Sequence, residues 1–275
     1  MSSLTLDRGT TERNTARAIR IGKGKQIQMN AARQLERLRQ EFDADWARTY
    51  RDHMDAQVVA DASGSYRHYG TMVEQLSSSF GRPIVALDLG CGTGRHFNLL
   101  RNVERLVAID LSEHMIEQAR NPIFADKITV GSIEYLVGDI HSQALTEATF
   151  DLIYCIGVVG LYVPADAAFL HRLHALLRPG GVAFFTVVDA RSRVHVPEHA
   201  RASFVRRALN KSFPVLPARV RELVNRYFSP TYTTPARMDK LLRASPFDRH
   251  AIVPYEHKSG WRGITLGCTG WRKPA

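Results

Sequence analysis

The chain has 275 residues, 44% of them hydrophobic, enough for one large core with an appended cap. No apolar run reaches the roughly 18 residues of a membrane span, and the polar N-terminus lacks the apolar stretch of a secretory signal. Cys91, Cys155 and Cys268 form no close pair, which argues against a disulfide framework or a metal site and for a reducing cytoplasm. The formal charge of +10 leaves an anionic partner such as nucleic acid open.

The basic residues cluster. Arg8, Arg13, Arg17, Arg20, Lys23 and Lys25 stud a segment, 1 to about 28, that has few large apolar residues and reads as a flexible arm. "GKGKQ" at 22–26 lacks the strand and the spacing of a phosphate loop. From 29 to about 60 the spacing of Leu35, Leu38, Phe42, Trp46 and Tyr50 predicts a helix. "YRHYGTMVEQLSSSF" predicts a second helix, stopped by "GRP" at 81–83.

Strand and helix then alternate. Strands are predicted at Ile84–Leu89, at "RLVAID", at "IEYLVGD", at "FDLIYCIGV" and at "GVAFFTVVD". Helices are predicted near 94–102, at "SEHMIEQAR" with Ser112 as N-cap, and at "DAAFLHRLHALL" before the "RPGG" stop. The rhythm breaks between 190 and about 234, a segment rich in Arg, Pro and aromatics, including Phe204, Phe213 and Tyr232. It resumes with a helix at "PARMDKLLRAS" and strands at "HAIVPYEH" and "WRGITLGCTGW", whose short link predicts an antiparallel edge pair. The expected architecture is α/β: a doubly wound, seven-stranded, mostly parallel sheet with its last strand antiparallel. A helical lid at 29–80 and a helical cap insert at 190–234 would flank the core over 81–275.

"VALDLGCGTGRH" at 85–96 carries the chemistry. A glycine-rich turn after a first strand brings backbone N–H groups to a ligand. The dinucleotide fingerprint would want glycine at position 95, where the chain has Arg95. Asp88 stands just before Gly90, Gly92 and Gly94. A carboxylate there suits an ammonium group and not a pyrophosphate. Asp110, ending the second strand, can accept from a ribose diol, and Asp139, ending the third, from an exocyclic amine. Amino acid, ribose and adenine in that order describe S-adenosylmethionine.

The motifs "LDLGCGTG", "AIDLSEHMIEQA", "LVGDI" and "LLRPGG" resemble, in order and spacing, those of the class I S-adenosylmethionine-dependent methyltransferases. The resemblance covers 84–190 firmly and 235–272 loosely. It implies that Asp88, Gly90, Cys91, Gly92, Thr93 and Gly94 hold the methionine end and Asp110 the ribose. Leu111 and Met115 would flank adenine, Asp139 and the Ile140 N–H would bind its edge, and Cys155 and Ile156 would border the sulfonium. "FDADWARTYRDHM" is similar to a segment that covers the cofactor in many small-molecule members, which makes Tyr50, Tyr66 and Tyr69 lid candidates. Packing of that helix onto the sheet would explain the same tyrosines.

In-line methyl transfer needs alignment and exclusion of water, and a base only for a protonated acceptor. Tyr162, His195 and His199 are the weak candidates, and each also suits a surface or core role. Tyr66, Tyr162, Phe204 and Tyr232 are candidates for the acceptor pocket, with an apolar, planar or anionic small molecule expected. Three functions compete: small-molecule methylation in specialised metabolism, methylation of tRNA or rRNA through the basic clusters, and non-catalytic cofactor binding. No metal and no membrane partner is expected, and monomer and homodimer are both open.

Overall fold

The computed structural model describes residues 36–60, 64–192, 216–217, 219–220, 222–223, 231–256 and 263–275. The arm predicted at 1–28, His195, His199, Phe204 and most of the insert predicted at 190–234 lie outside the described residues.

Residues 36–41 are helical, and the Phe42 N–H bonds the Leu38 carbonyl at 3.0 Å. The single helix predicted over 29–60 breaks at Phe42 and Asp43. Asp competes for nearby backbone N–H groups and favours such breaks. The chain resumes as α1 (Ala44–Tyr50), passes through a π-helical turn (Arg51–Asp55) and ends as α2 (Ala56–Val59). Next, α3 (Gly64–Ser78) buries Tyr69, Gly70, Val73 and Ser77 along one stripe.

The strands are β1 (Ile84–Leu89), β2 (Val103–Asp110), β3 (Ser132–Val137), β4 (Phe150–Cys155), β5 (Leu177–Val188), β6 (Arg249–Glu256) and β7 (Ile264–Trp271). They form one sheet in the order β3-β2-β1-β4-β5-β7-β6. β7 runs antiparallel to both neighbours, as its short link to β6 predicts. β1 and β4 are buried at every position because helices cover both faces, which is why they read as continuous apolar runs. β3, at one edge, alternates in exposure.

Three of the helices start on a side-chain cap. The Ser112 hydroxyl accepts from the Met115 N–H at the start of α4 (Glu113–Ala119). Asp166 does the same for α5 (Ala167–Leu176), and Thr234 with Pro235 for α6 (Pro235–Arg243). Val85, Leu87, Leu89, Ile153 and Phe185 pack one sheet face under α5 and α6. Ile84, Ala86, Leu152, Tyr154 and Phe184 pack the other under α3 and α4. Each fully buried Leu, Ile or Phe contributes roughly 1.5–3 kcal/mol.

The helix predicted near 94–102 is only a 3-10 turn, Phe97–Leu99. Gly94 and Asn102 have positive φ and Leu100 is extended, which breaks the helix at both ends, and His96, Phe97 and Asn98 are poor helix formers.

At the C-terminal end of β5, Asp189 bridges Thr233, and the Ala190 N–H donates to the Thr233 carbonyl at 2.7 Å. Among the described residues no helix is long and apolar enough to cross a membrane.

Candidate cofactor-binding site

The chain order reverses between β1 and β4: connections run outward to β2 and β3, then cross back. In open sheets of this kind ligands bind at the carboxyl ends of the strands at such a point. The glycine loop lies there. Gly90, Gly92 and Gly94 have φ values of +78°, +56° and +74°, a region L side chains avoid. A Cβ on Gly90 would run into the Val158 side chain, which comes from the loop after β4. Met115 Cε would lie 3.4 Å from a Cβ on Gly92. The loop therefore fits between the segment after β4 and the start of α4.

Three acids were expected around this loop, and their environments differ. Asp88 is buried and shares a register position with Tyr154 on β4. Burial drives its carboxyl up to about 8, against the opposing pull of the Tyr154 hydroxyl; the Asp110 charge adds to the rise. Asp110 accepts the Gly92 N–H at 2.9 Å on one oxygen and the Ser112 N–H at 3.0 Å on the other. Burial also raises Asp110, and these backbone N–H groups pull it back. Asp110 so fastens the glycine loop to the start of α4, and each oxygen keeps a second lone pair for a ribose hydroxyl. Asp139 folds over its own loop, accepting the His141 N–H at 3.2 Å and the Ser142 hydroxyl at 2.8 Å. Ile140 beside it is buried, and its carbonyl accepts from Arg172 at 3.0 Å. Leu111 is half-buried and Met115 buried.

The α1–α2 helix contributes a second wall. Arg51 ties it to α4 and the turn after it through the Gln118 side chain and the Asn121 carbonyl. The Tyr50 ring stacks on Trp46 at 5.0 Å and carries the Arg95 guanidinium 5.2 Å from its centroid. Burial raises the Tyr50 hydroxyl, Arg95 opposes that rise, and the charges of Asp55 and Asp110 add to it. Asp55, 1% exposed, accepts the Thr93 hydroxyl at 3.1 Å. Tyr66 bonds Asn98 at 3.1 Å and stacks on His96 at 5.4 Å. Burial holds His96 down to about 3, so it stays neutral. Tyr69 is not brought to this group. It packs in the core beside Phe184 and Tyr255, so it fastens α3 to the sheet.

After β4 the residues diverge. Cys155 is fully buried within the α5-side core, while Ile156 is half-buried against the opposite core. Gly157 has φ +76°, and no atom lies within 4 Å of where its Cβ would be. Its N–H is held by the Thr186 hydroxyl at 2.9 Å, so open space adjoins a fixed backbone. Tyr162 closes a turn on the Val158 carbonyl at 3.0 Å and is half-buried. Tyr232 is buried against Val188 and Ala190, with Leu161 beside it. Tyr162 and Tyr232 thus belong to one neighbourhood, where Thr231 bonds the Gly160 and Leu161 carbonyls at 3.2 and 3.3 Å.

Asp55 went unnoticed in the sequence because "RDHMD" reads as a solvated helix face. Five residues after Tyr50, it would point away from that tyrosine on a regular α-helix. The π-helical turn brings it to Thr93.

Residues 86–181 match the family described as a methyltransferase domain. Over that segment the chain is similar to methyltransferase domains. The chain is 31% identical over 137 residues to a malonyl-[acyl-carrier protein] O-methyltransferase of Yersinia pestis, covering 48% of this chain and 47% of that protein. It is 27% identical over 140 residues to a ubiquinone biosynthesis O-methyltransferase of Coxiella burnetii, covering 50% of this chain and 57% of that one. The chain spans about half the length of these curated relatives. Its fold superposes on the 1,6-didemethyltoxoflavin-N1-methyltransferase of Burkholderia thailandensis with a TM-score of 0.50 at 19% identity, covering 86% of this chain and 90% of that one.

The residues present suit the cofactor of such domains. Bare backbone at Gly90–Gly94, an acid ending β2 and open space at Gly157 lie around one end of the sheet. Beside them Asp55 Oδ2 is buried and, among the described residues, has no hydrogen-bond partner.

Proposed function

We propose that this protein transfers the methyl group of S-adenosylmethionine to a small-molecule acceptor by in-line displacement. The observation that carries this reading is the junction of the glycine loop, Asp110 and the Tyr50 wall at the β1/β4 crossover. The cofactor supplies an already activated methyl, so the protein's part is alignment and exclusion of water. The glycine loop and Thr93 would hold the methionine end, Asp110 the ribose, and Leu111, Met115, Asp139 and Ile140 the adenine. Tyr50 and Trp46 would close over the loop.

The acceptor would enter beside Gly157, bordered by Ile156, Tyr66, Tyr162 and Tyr232. The aromatic rings there support a small planar acceptor over a polynucleotide, whose phosphates need arrayed cations. Tyr162 is not required as a base if the acceptor is already deprotonated at working pH. A place in specialised metabolism fits an acceptor pocket of this make-up.

The test is incubation with methyl-labelled S-adenosylmethionine and two pools, a metabolite extract and total RNA. Label in a low-molecular-weight fraction is the expected outcome. Label confined to RNA, with binding that weakens steeply with salt, would replace this reading by nucleic-acid methylation. Cofactor binding with no label in either pool would leave a non-catalytic cofactor-binding protein.

A further inference from the structure

Three carboxyl groups stand around the glycine loop, and their surroundings differ. Asp88 is buried within β1 at the position paired with Tyr154 on β4. Asp110 accepts a backbone N–H on each oxygen. Asp55 accepts the Thr93 hydroxyl on Oδ1, while Oδ2 is buried with no hydrogen-bond partner among the described residues. The nearby cations are otherwise occupied. Arg95 lies over the Tyr50 ring, and Arg51 donates to Gln118 and the Asn121 carbonyl. Neither forms an ion pair with Asp55 among the described residues.

A buried carboxylate oxygen without a donor is costly, and folds keep one where something else supplies the donor. The chain also departs from regular α-helix to hold Asp55 there. The π-helical turn at Arg51–Asp55 ends on that residue, and such turns cluster at functional sites. Thr93 lies inside the loop whose bare backbone would meet the methionine end of the cofactor, and that end presents one cation, its α-ammonium group.

We propose that Asp55 is the acceptor of the cofactor's α-ammonium group, so that the N-terminal helix and not the β1 acid reads the charge of the methionine end. The inference rests on the methyltransferase reading above. Asp88, which the sequence offers for this role, remains beneath the loop with Tyr154. Burial raises the Asp55 carboxyl, and a bound ammonium would draw it back to the ionised form.

Calorimetry with three ligands tests this: S-adenosylhomocysteine, its decarboxylated analogue, and 5′-methylthioadenosine, which lacks the ammonium group. In Asp55→Asn, binding of the first two should fall about tenfold or more, as for loss of a charge-assisted hydrogen bond. 5′-Methylthioadenosine should bind as it does to the parent, which also reports an intact fold. Asp55→Glu should recover part of the ammonium-dependent affinity. An equal loss for all three ligands would make Asp55 a support of the loop only. No loss for any of them, or a selective loss in Asp88→Asn instead, would overturn the assignment. If the parent binds none of the three, the methyltransferase reading itself falls, and this assignment with it.

Discussion

Asp88 and Tyr154 occupy paired positions on β1 and β4, and both are buried. The Asp88 carboxyl is driven up to about 8, against about 3.9 in an unfolded chain. The native state therefore keeps a proton that the unfolded state releases. The resulting stabilisation is full below about pH 4 and is lost as pH rises through about 8. Asp88→Asn removes the dependence. In urea unfolding the variant should gain on the parent by at least about 1 kcal/mol between about pH 5 and about pH 8. Parallel stability curves would mean that Asp88 is ionised throughout.

Gly90 admits no side chain for two reasons at once. Its φ is +78°, and Val158 fills the space a Cβ would need. Gly90→Ala should lower stability by about 1–3 kcal/mol in thermal unfolding. Adding Val158→Ala should restore part of that loss by opening the space, while the backbone strain remains. If the double variant is no more stable than Gly90→Ala, the contact with Val158 is not what excludes the side chain.

Asp110 joins two backbone segments that the ligand would touch. Replacing it by Ala leaves the Gly92 and Ser112 N–H groups without their acceptor. S-Adenosylhomocysteine binding should weaken by about 10- to 100-fold in calorimetry. Stability should fall by about 1–2 kcal/mol. Unchanged affinity would remove Asp110 from the site.

Asp151 offers the converse. At the other end of the sheet it accepts from Arg82 at 2.7 Å, Arg178 at 3.0 Å and the Val85 N–H at 2.9 Å. Its side chain is 1% exposed and the arginines are partly solvated. Asp151→Ala should cost about 2–3 kcal/mol in unfolding, discounted for that solvation. At a temperature where the variant stays folded, its affinity for S-adenosylhomocysteine should match the parent's.

The strands were legible because burial on both faces writes them as apolar runs, and the glycine loop because positive φ demands glycine. The helix start at Ser112 was legible for the same local reason, that a side chain must satisfy a free N–H; Asp166 and Thr234 cap their helices in the same way. The departures involve spacing that only tertiary contact decides. The turn at Phe97–Leu99 is short because Leu100 is already extended and Asn102 has positive φ. Tyr69 has the same lid-like sequence context as Tyr50, yet its ring meets Phe184 of the sheet. Asp55 reaches Thr93 through a helical irregularity that carries no mark in composition.

The bridge between Asp189 and Thr233 fixes the two ends of the intervening chain side by side. When both stems are anchored, the closure entropy grows only with the logarithm of the length between them. The length of chain between the two stems therefore adds little to the cost of closing it. Asp189 and Thr233 are thus held together by backbone pairing, whatever the length of chain that joins them.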